Sequence, residues 1–104
     1  MVLSVWKWEI LPGKEEAYLE WVRDAIPRIV SIPGVVEFRG YRPVTGSSQV
    51  VVTYEFANLE DWAAWYGHEE AQKLLTELRS VTTGVHHELW GPSPVATKPV
   101  RPGE

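Results

Sequence analysis

Two spacings of apolar residues alternate along the chain. Val2 to Leu11 has apolar side chains at most even positions, and both of its charged residues fall on odd positions. This period of two predicts a half-buried strand. From Lys14 onward, apolar residues recur at intervals of three, four and seven, which predicts an amphipathic helix. Pro12-Gly13 separates the two segments, and Pro27 predicts a kink or a short second piece near the end of the helix.

The same two spacings predict the remaining elements. They are strands over Val35 to Arg42 and Gln49 to Phe56, a helix that Asn58 caps and Gly67 interrupts, a helical segment over His68 to Ser80, and a strand over Thr82 to Trp90. Residues 92–104 contain four prolines and little that can pack in a core. We therefore expect one domain over residues 1–91, followed over residues 92–104 by a Pro-rich tail that is extended or disordered.

The order strand, helix, strand, strand, helix, strand is that of the split βαβ, ferredoxin-like arrangement. It predicts an α+β fold with one four-stranded antiparallel sheet and the helices on one face. Alternation assigns twelve side chains to the helix-facing side: Trp6, Trp8, Ile10, Val36, Phe38, Val50, Val52, Tyr54, Phe56, Val85, His87 and Leu89.

The opposite face of the predicted sheet is half apolar and half charged. It includes Val5, Lys7, Arg39, Glu55 and Glu88, and alternation also places Val35 there. A face turned to solvent would have fewer large apolar residues, and a face inside a monomer core would have fewer charges. We therefore expect a homodimer in which this face packs against its own copy.

Composition excludes several classes of function. The 104 residues carry a formal charge of −4 without a cluster of basic residues, so we expect no nucleic-acid partner and no binding to an anionic membrane. No apolar run approaches the length that spans a bilayer, and we expect no signal peptide. Without cysteine there is no thiol catalysis and no thiolate metal site. These features fit a cytoplasmic protein.

Aromatic residues are the main candidates for a binding site. The chain has six tryptophans, and large flat side chains with one donor each are typical of sites for planar ligands. An aromatic core with a subunit interface explains the same composition. The predicted substrate-binding residues are Trp6, Trp8, Phe38, Tyr54, Trp62 and Trp65, together with His68 at the expected mouth of the pocket.

His87 is the candidate catalytic base, because it is the one histidine predicted to face the helices. The simpler interpretation is a core or rim histidine bonded to a backbone carbonyl. His86 and Glu88 flank it in sequence, but adjacent residues of a strand point to opposite faces, so we expect no metal site.

Three stretches of sequence resemble the dimeric α+β barrel superfamily, above all its antibiotic biosynthesis monooxygenase (ABM) branch and the neighbouring NIPSNAP-like proteins. They are VWKWEILPGKEEAYLEWV, SIPGVVEFRGYRP and VVVTYEFANLEDWAAW, and HHELWGPSP at the end is similar to the NIPSNAP-like group. The resemblance covers residues 2 to 94. It implies dimers with facing sheets and a pocket between sheet and helices in each protomer.

Members of this superfamily include cofactor-free oxygenases, haem-degrading enzymes and proteins of unknown role. The haem-degrading members share an Asn, a Trp and a His, at whose places this chain has Trp6, Trp65 and Leu75. Because the iron ligand is missing, the resemblance implies no haem, and we expect no cofactor. Two hypotheses remain open: a cofactor-independent monooxygenase acting on an aromatic, quinol or polyketide-like molecule, and a non-catalytic small-molecule-binding or stress-related protein. A third is an oligomeric scaffold in which the tryptophans are only core.

Overall fold

The computed structural model describes all residues from Met1 to Glu104 and confirms the predicted ferredoxin-like α+β fold. The elements are β1 (Val2–Ile10), α1 (Glu15–Ser31), β2 (Val35–Tyr41), β3 (Val50–Phe56), α2 (Leu59–Tyr66), α3 (Glu69–Arg79) and β4 (Thr82–Trp90). Asn58 caps α2 as predicted, since its side chain accepts a hydrogen bond from the backbone N–H of Asp61 at 2.8 Å.

The four strands form one antiparallel sheet in the order β2-β3-β1-β4. The register places Trp6 of β1 between Val52 of β3 and His87 of β4. All helices pack on one face of the sheet, and the core between them is rich in aromatic side chains. Its buried members include Trp6, Trp8, Tyr18, Tyr54, Phe56, Trp65, Leu74, Leu75 and Leu78.

Two bulges shift the alternation that the sequence predicts. In β2 the register changes between Val35 and Glu37, so that Val35 lies opposite Phe56 and packs against the core. The prediction that Val36 faces the helices is therefore wrong: Val36 is the extra residue of the bulge and is exposed. In β4 the register changes between His86, which pairs with Lys7, and Thr83, which pairs with Glu9. Gly84 lies in this stretch and has a φ of 64°.

Of the two outcomes predicted at Pro27, a kink or a short second piece, the second does not occur. Helix α1 continues through Pro27 to Ser31 as a single element. No helix of the chain is both long and apolar enough to cross a bilayer. The tail after Trp90 contains neither helix nor strand, and its residues Ala96, Thr97 and Pro99 border a cleft beside Met1 and Leu3.

An ion-pair network joins α1 to α3 on the outer surface. The Arg28 guanidinium donates to both carboxylate oxygens of Glu77, at 2.8 and 2.9 Å, and also to Glu70 and Asp24. The same carboxylate accepts the indole N–H of Trp21 at 2.9 Å. Hydrogen bonds from Arg28 lower the pKa of Glu77 from 4.5 to about 2. We call Trp21, Asp24, Arg28, Glu70 and Glu77 the Arg28 network.

Candidate functional site

His87 lies on the helix-facing side of β4, as its position in the strand predicts. Its ring stacks on that of Trp6, its cross-strand neighbour, with centroids 4.2 Å apart and an angle of 25° between the planes. Trp6 is buried, whereas His87 is half-buried at the edge of the helical layer. The β1–β4 register therefore places the imidazole on an indole surface near solvent.

Helix α2 adds two more rings in nearly the same orientation. Trp62 and Tyr66 are four residues apart on one face of α2, and their rings stack with centroids 5.3 Å apart. Their planes lie within 13° and 12° of the His87 plane, at centroid distances of 6.0 and 6.4 Å. We call Trp6, Trp62, Tyr66 and His87 the His87 stack.

Ser4 supplies the polar contact of the stack. Its Oγ is fully buried, accepts the indole N–H of Trp6 at 3.0 Å, and lies 2.8 Å from Nε2 of His87. His87 is thus bonded to a side chain, not to a backbone carbonyl. Burial lowers the pKa of His87 below its ordinary value, and the nearby His86 acts in the same direction. The imidazole is therefore neutral at pH 7.

Two ring nitrogens of the stack make no hydrogen bond within the chain, and neither does the Tyr66 hydroxyl. Nδ1 of His87 has no partner and is not fully buried. The indole N–H of Trp62 is sealed from solvent and has no acceptor, whereas the other five indoles donate to Ser4, Tyr18, Glu77, the Ile29 carbonyl and Glu88. An unpaired buried donor is unfavourable, so native proteins rarely retain one without a reason.

A small apolar cavity lies between α1 and the sheet. Its volume is about 40 Å³, and its ten lining residues are all hydrophobic, among them Trp8, Tyr18, Phe38, Val52 and Tyr54. The Trp8 indole donates to the Tyr18 hydroxyl at 3.1 Å. The Tyr54 hydroxyl has no partner in the chain, and burial raises the pKa of Tyr54 well above its ordinary value. We call this space the α1 cavity.

The structure divides the predicted site residues into two groups. Trp6, Trp62 and His87 meet in the His87 stack, whereas Trp8, Phe38 and Tyr54 line the α1 cavity. Trp65 belongs to neither group: its buried ring packs against Tyr54 and Phe56 at centroid distances of 5.2 and 5.7 Å. The predicted site residues therefore form two aromatic regions and not a single pocket.

The other two histidines lie apart from both regions. His68 is exposed and caps α3, since its Nδ1 accepts the backbone N–H of Glu70 at 3.1 Å. His86 lies on the opposite face of β4, where its Nε2 is 2.7 Å from Glu88. No group of three His, Asp or Glu side chains lies close enough together to hold a metal ion.

Ser4 and Tyr66 are the site residues that are absent from the predicted set. Ser4 breaks the row of apolar even positions in β1, and that interruption is the signal in the sequence. Tyr66 follows Trp62 by four residues, which on a helix places the two rings side by side. Neither signal points to His87 without the β1–β4 register.

Comparison with known protein families gives one match that covers most of the chain. The family model for antibiotic biosynthesis monooxygenase matches residues 1–77. No curated protein sequence matches the chain. Leu75, the residue at the place of the haem-ligating histidine, is a buried core residue in this fold.

Solved structures show the same fold at low identity. A protein of Arabidopsis thaliana is 16% identical with a TM-score of 0.81, covering 92% of this chain and 99% of its own. SnoaB, a cofactor-independent oxygenase from Streptomyces nogalater, is 15% identical with a TM-score of 0.73, covering 88% and 92%. A dabb family protein from Mesorhizobium loti is 12% identical with a TM-score of 0.79, covering 88% and 96%. At these identities the likeness shows the fold alone.

Proposed function

The chain belongs to the antibiotic biosynthesis monooxygenase family, and from that premise we propose that it is a cofactor-independent monooxygenase acting on a phenolic, quinol or polyketide-like ring at the His87 stack. The observation that carries the proposal is the pair of unused polar groups, Trp62 N–H and His87 Nδ1, in an otherwise aromatic setting. A flat ring with oxygen substituents matches both the stacking surface and these two groups.

The proposed reaction needs no cofactor because the substrate supplies the electrons. The ring loses a hydroxyl proton, and its anion passes an electron to dioxygen. The two radicals then join at a ring carbon, and the resulting peroxide loses water. In the net reaction a ring CH₂, or its phenolic tautomer, becomes C=O, and the second oxygen atom leaves as water with the two hydrogens of that carbon. The four electrons that reduce dioxygen all come from the ring.

The small size of the α1 cavity is the reason for placing the substrate ring elsewhere. A volume of about 40 Å³ admits only a few water-sized molecules, so a substituted aromatic ring does not fit. No cleft of the structure is lined by the His87 stack, so we place the ring against the exposed part of the half-buried His87. We accordingly propose that His87 binds the hydroxyl oxygen of the substrate. The indole N–H of Trp62 becomes a second donor to the substrate once the Trp62 ring moves to admit an acceptor.

The test is oxygen consumption with a panel of anthrones, hydroxynaphthalenes and quinols, corrected for autoxidation, followed by mass spectrometry of products formed under ¹⁸O₂. We expect one labelled oxygen atom per product molecule. His87→Phe keeps a flat ring in the stack and removes both nitrogens, so we expect the rate to fall by about 100-fold. His86→Phe, on the opposite face of the same strand, is the matched control and should retain the rate.

Two outcomes would contradict the proposal. If no compound of the panel is oxidised while several quench tryptophan fluorescence, the chain is a non-catalytic binding protein, which is the alternative that the sequence leaves open. If oxidation occurs but His87→Phe and His86→Phe behave alike, the reaction takes place elsewhere and the His87 stack is not its site.

For the assembly, we propose that the sheet face opposite the helices pairs with its copy in a second chain. Tyr41 and Trp90 are about half exposed on this face, and the charges of Lys7 and Glu88 lie 3.9 Å apart within one chain. Lys7 and Glu88 can be buried together because they pair within the chain, whereas Glu55 has no ion-pair partner there and requires one from the second chain. Sedimentation equilibrium at micromolar concentration should give twice the chain mass, and a monomer there would contradict this proposal.

A further inference from the structure

Ser4 and His87 share a hydrogen bond whose direction follows from the other partner of Ser4. Ser4 lies near the start of β1, is fully buried, and has two side-chain partners, Trp6 and His87. An indole nitrogen is only a donor, so Ser4 Oγ accepts from Trp6. The hydroxyl proton of Ser4 then needs an acceptor, and the other partner of Oγ is Nε2 of His87, at 2.8 Å.

This arrangement fixes the imidazole tautomer. If Nε2 carried the proton, the hydroxyl of Ser4 would be buried without an acceptor, a situation that folded proteins avoid. With Nε2 as acceptor, both buried donors of this series, the Trp6 N–H and the Ser4 hydroxyl, are satisfied, and the proton of the neutral imidazole is on Nδ1. Nδ1 is the nitrogen that makes no hydrogen bond in the chain and is not fully buried.

We propose that Ser4 is a positioning residue that holds His87 in the Nδ1–H tautomer, so that His87 offers the substrate a hydrogen-bond donor and does not act as its base. This inference rests on the proposed function for its ligand and names the substrate class more closely: a ring that binds with an ionised oxygen, as a phenolate or enolate. A neutral donor beside aromatic rings stabilises such an anion.

Under this inference His87 does not accept the proton that the substrate loses. The O–H bond of the ring breaks in water, the proton goes to water, and the donor at Nδ1 favours the anion that remains. The Trp6 ring covers one face of the imidazole at a centroid distance of 4.2 Å, and together with the hydrogen bond from Ser4 it holds Nε2 turned toward β1. Trp6, which donates to Ser4 and also stacks on His87, keeps both partners in place.

The direct test is the tautomer itself, measured by long-range ¹H–¹⁵N correlation spectra of the full chain with labelled histidine at pH 7.5. We expect His87, assigned by comparison with His87→Phe, to show the Nδ1–H pattern. Ser4→Ala should shift it toward the Nε2–H pattern, and Ser4→Thr, which keeps the hydroxyl, should restore it. A wild-type His87 in the Nε2–H form would overturn the inference even if Ser4→Ala proves unstable.

A second measurement tests the ligand class with 2-naphthol as the probe, under anaerobic conditions. The wild type should bind the naphtholate about tenfold more tightly than the neutral naphthol, and Ser4→Ala should lose that preference while Ser4→Thr keeps it. Equal affinity for the two forms would overturn the donor role. A correct tautomer in a protein that consumes no oxygen would instead reject the proposed oxygenase and leave the role of Ser4 intact.

Discussion

The Arg28 network and the His87 stack both begin with a tryptophan N–H, and they end differently. In the first, Trp21 donates to Glu77, and Arg28 completes a set of charges that are all paired. In the second, Trp6 donates to Ser4, Ser4 binds His87, and the series ends at Nδ1 of His87, which makes no hydrogen bond; the buried N–H of Trp62 in the same stack is also unpaired. A completed network stabilises the fold, whereas unused hydrogen-bonding groups are available to a ligand.

The largest expected change in stability comes from the Arg28 network. Arg28→Ala leaves Glu77 and Glu70 facing each other without a counter-ion and should lower the free energy of unfolding by about 2 kcal/mol. Urea denaturation measures it, with Arg28→Lys as an intermediate control. Ligand binding at the His87 stack should be unchanged. A loss of affinity in a folded Arg28→Ala protein would break the distinction between the two regions.

Trp62→Phe tests the role of the unpaired indole N–H by removing it. Removing an N–H that has no acceptor should leave the thermal midpoint unchanged or raise it, because nothing in the chain loses a hydrogen bond. The affinity for 2-naphthol should fall by about tenfold, equivalent to about 1.4 kcal/mol. Trp21→Phe is the matched control, since it removes a paired N–H and should cost stability without affecting binding. The reverse pattern would contradict the assignment.

The two regions should also respond to acid in different pH ranges. The pKa of Glu77 is lowered in the fold from 4.5 to about 2, so its stabilisation is present above pH 4.5 and is lost as the pH falls toward 2. The pKa of His87 is lowered from 6.5, so the unfolded chain takes up that proton first, and stability falls as the pH drops below 6.5.

Denaturation midpoints measured from pH 7.5 to 2.5 separate these ranges. Arg28→Ala should flatten the profile below pH 4.5, and His87→Phe should flatten the part just below pH 6.5. If His87→Phe leaves the upper part of the profile unchanged, the imidazole is not buried in the way that its contacts indicate.

The smallest expected effect is that of changing His68. It distinguishes a role in capping α3 from the predicted contact with a ligand. His68→Ala removes the acceptor for the Glu70 N–H and should cost about 0.5 kcal/mol, whereas His68→Asn should keep most of the cap. Since His68 lies apart from the stack, both variants should bind 2-naphthol like the wild type. Weaker binding in both variants would place His68 at the ligand.

The sequence predicts the fold well because periods of two and three to four are strong signals in a chain of this size. From spacing alone it predicts that His87 faces the helices and names Trp62 as a candidate binding residue. It does not predict that Val36 turns outward, because the bulge depends on the pairing of β2 with β3. Ser4 escapes notice for the same reason: its importance depends on which residue of β4 lies beside it.

The separation of the aromatic residues into two regions also lies beyond the sequence. Trp6 and Trp8 share one face of β1, yet one stacks on His87 and the other lines the α1 cavity. That difference comes from tertiary packing, which alternation along a strand cannot specify.

The central claim, that a ring ligand binds at the His87 stack, is tested most directly by the six indole N–H signals in a ¹H–¹⁵N spectrum during titration with 2-naphthol under anaerobic conditions. The account predicts the largest shift for Trp62, whose N–H gains an acceptor, a smaller shift for Trp6, and unchanged signals for Trp21 and Trp90. Shifts confined to Trp8 and Trp21, with Trp62 unchanged, would place the ligand at the α1 cavity and contradict the account.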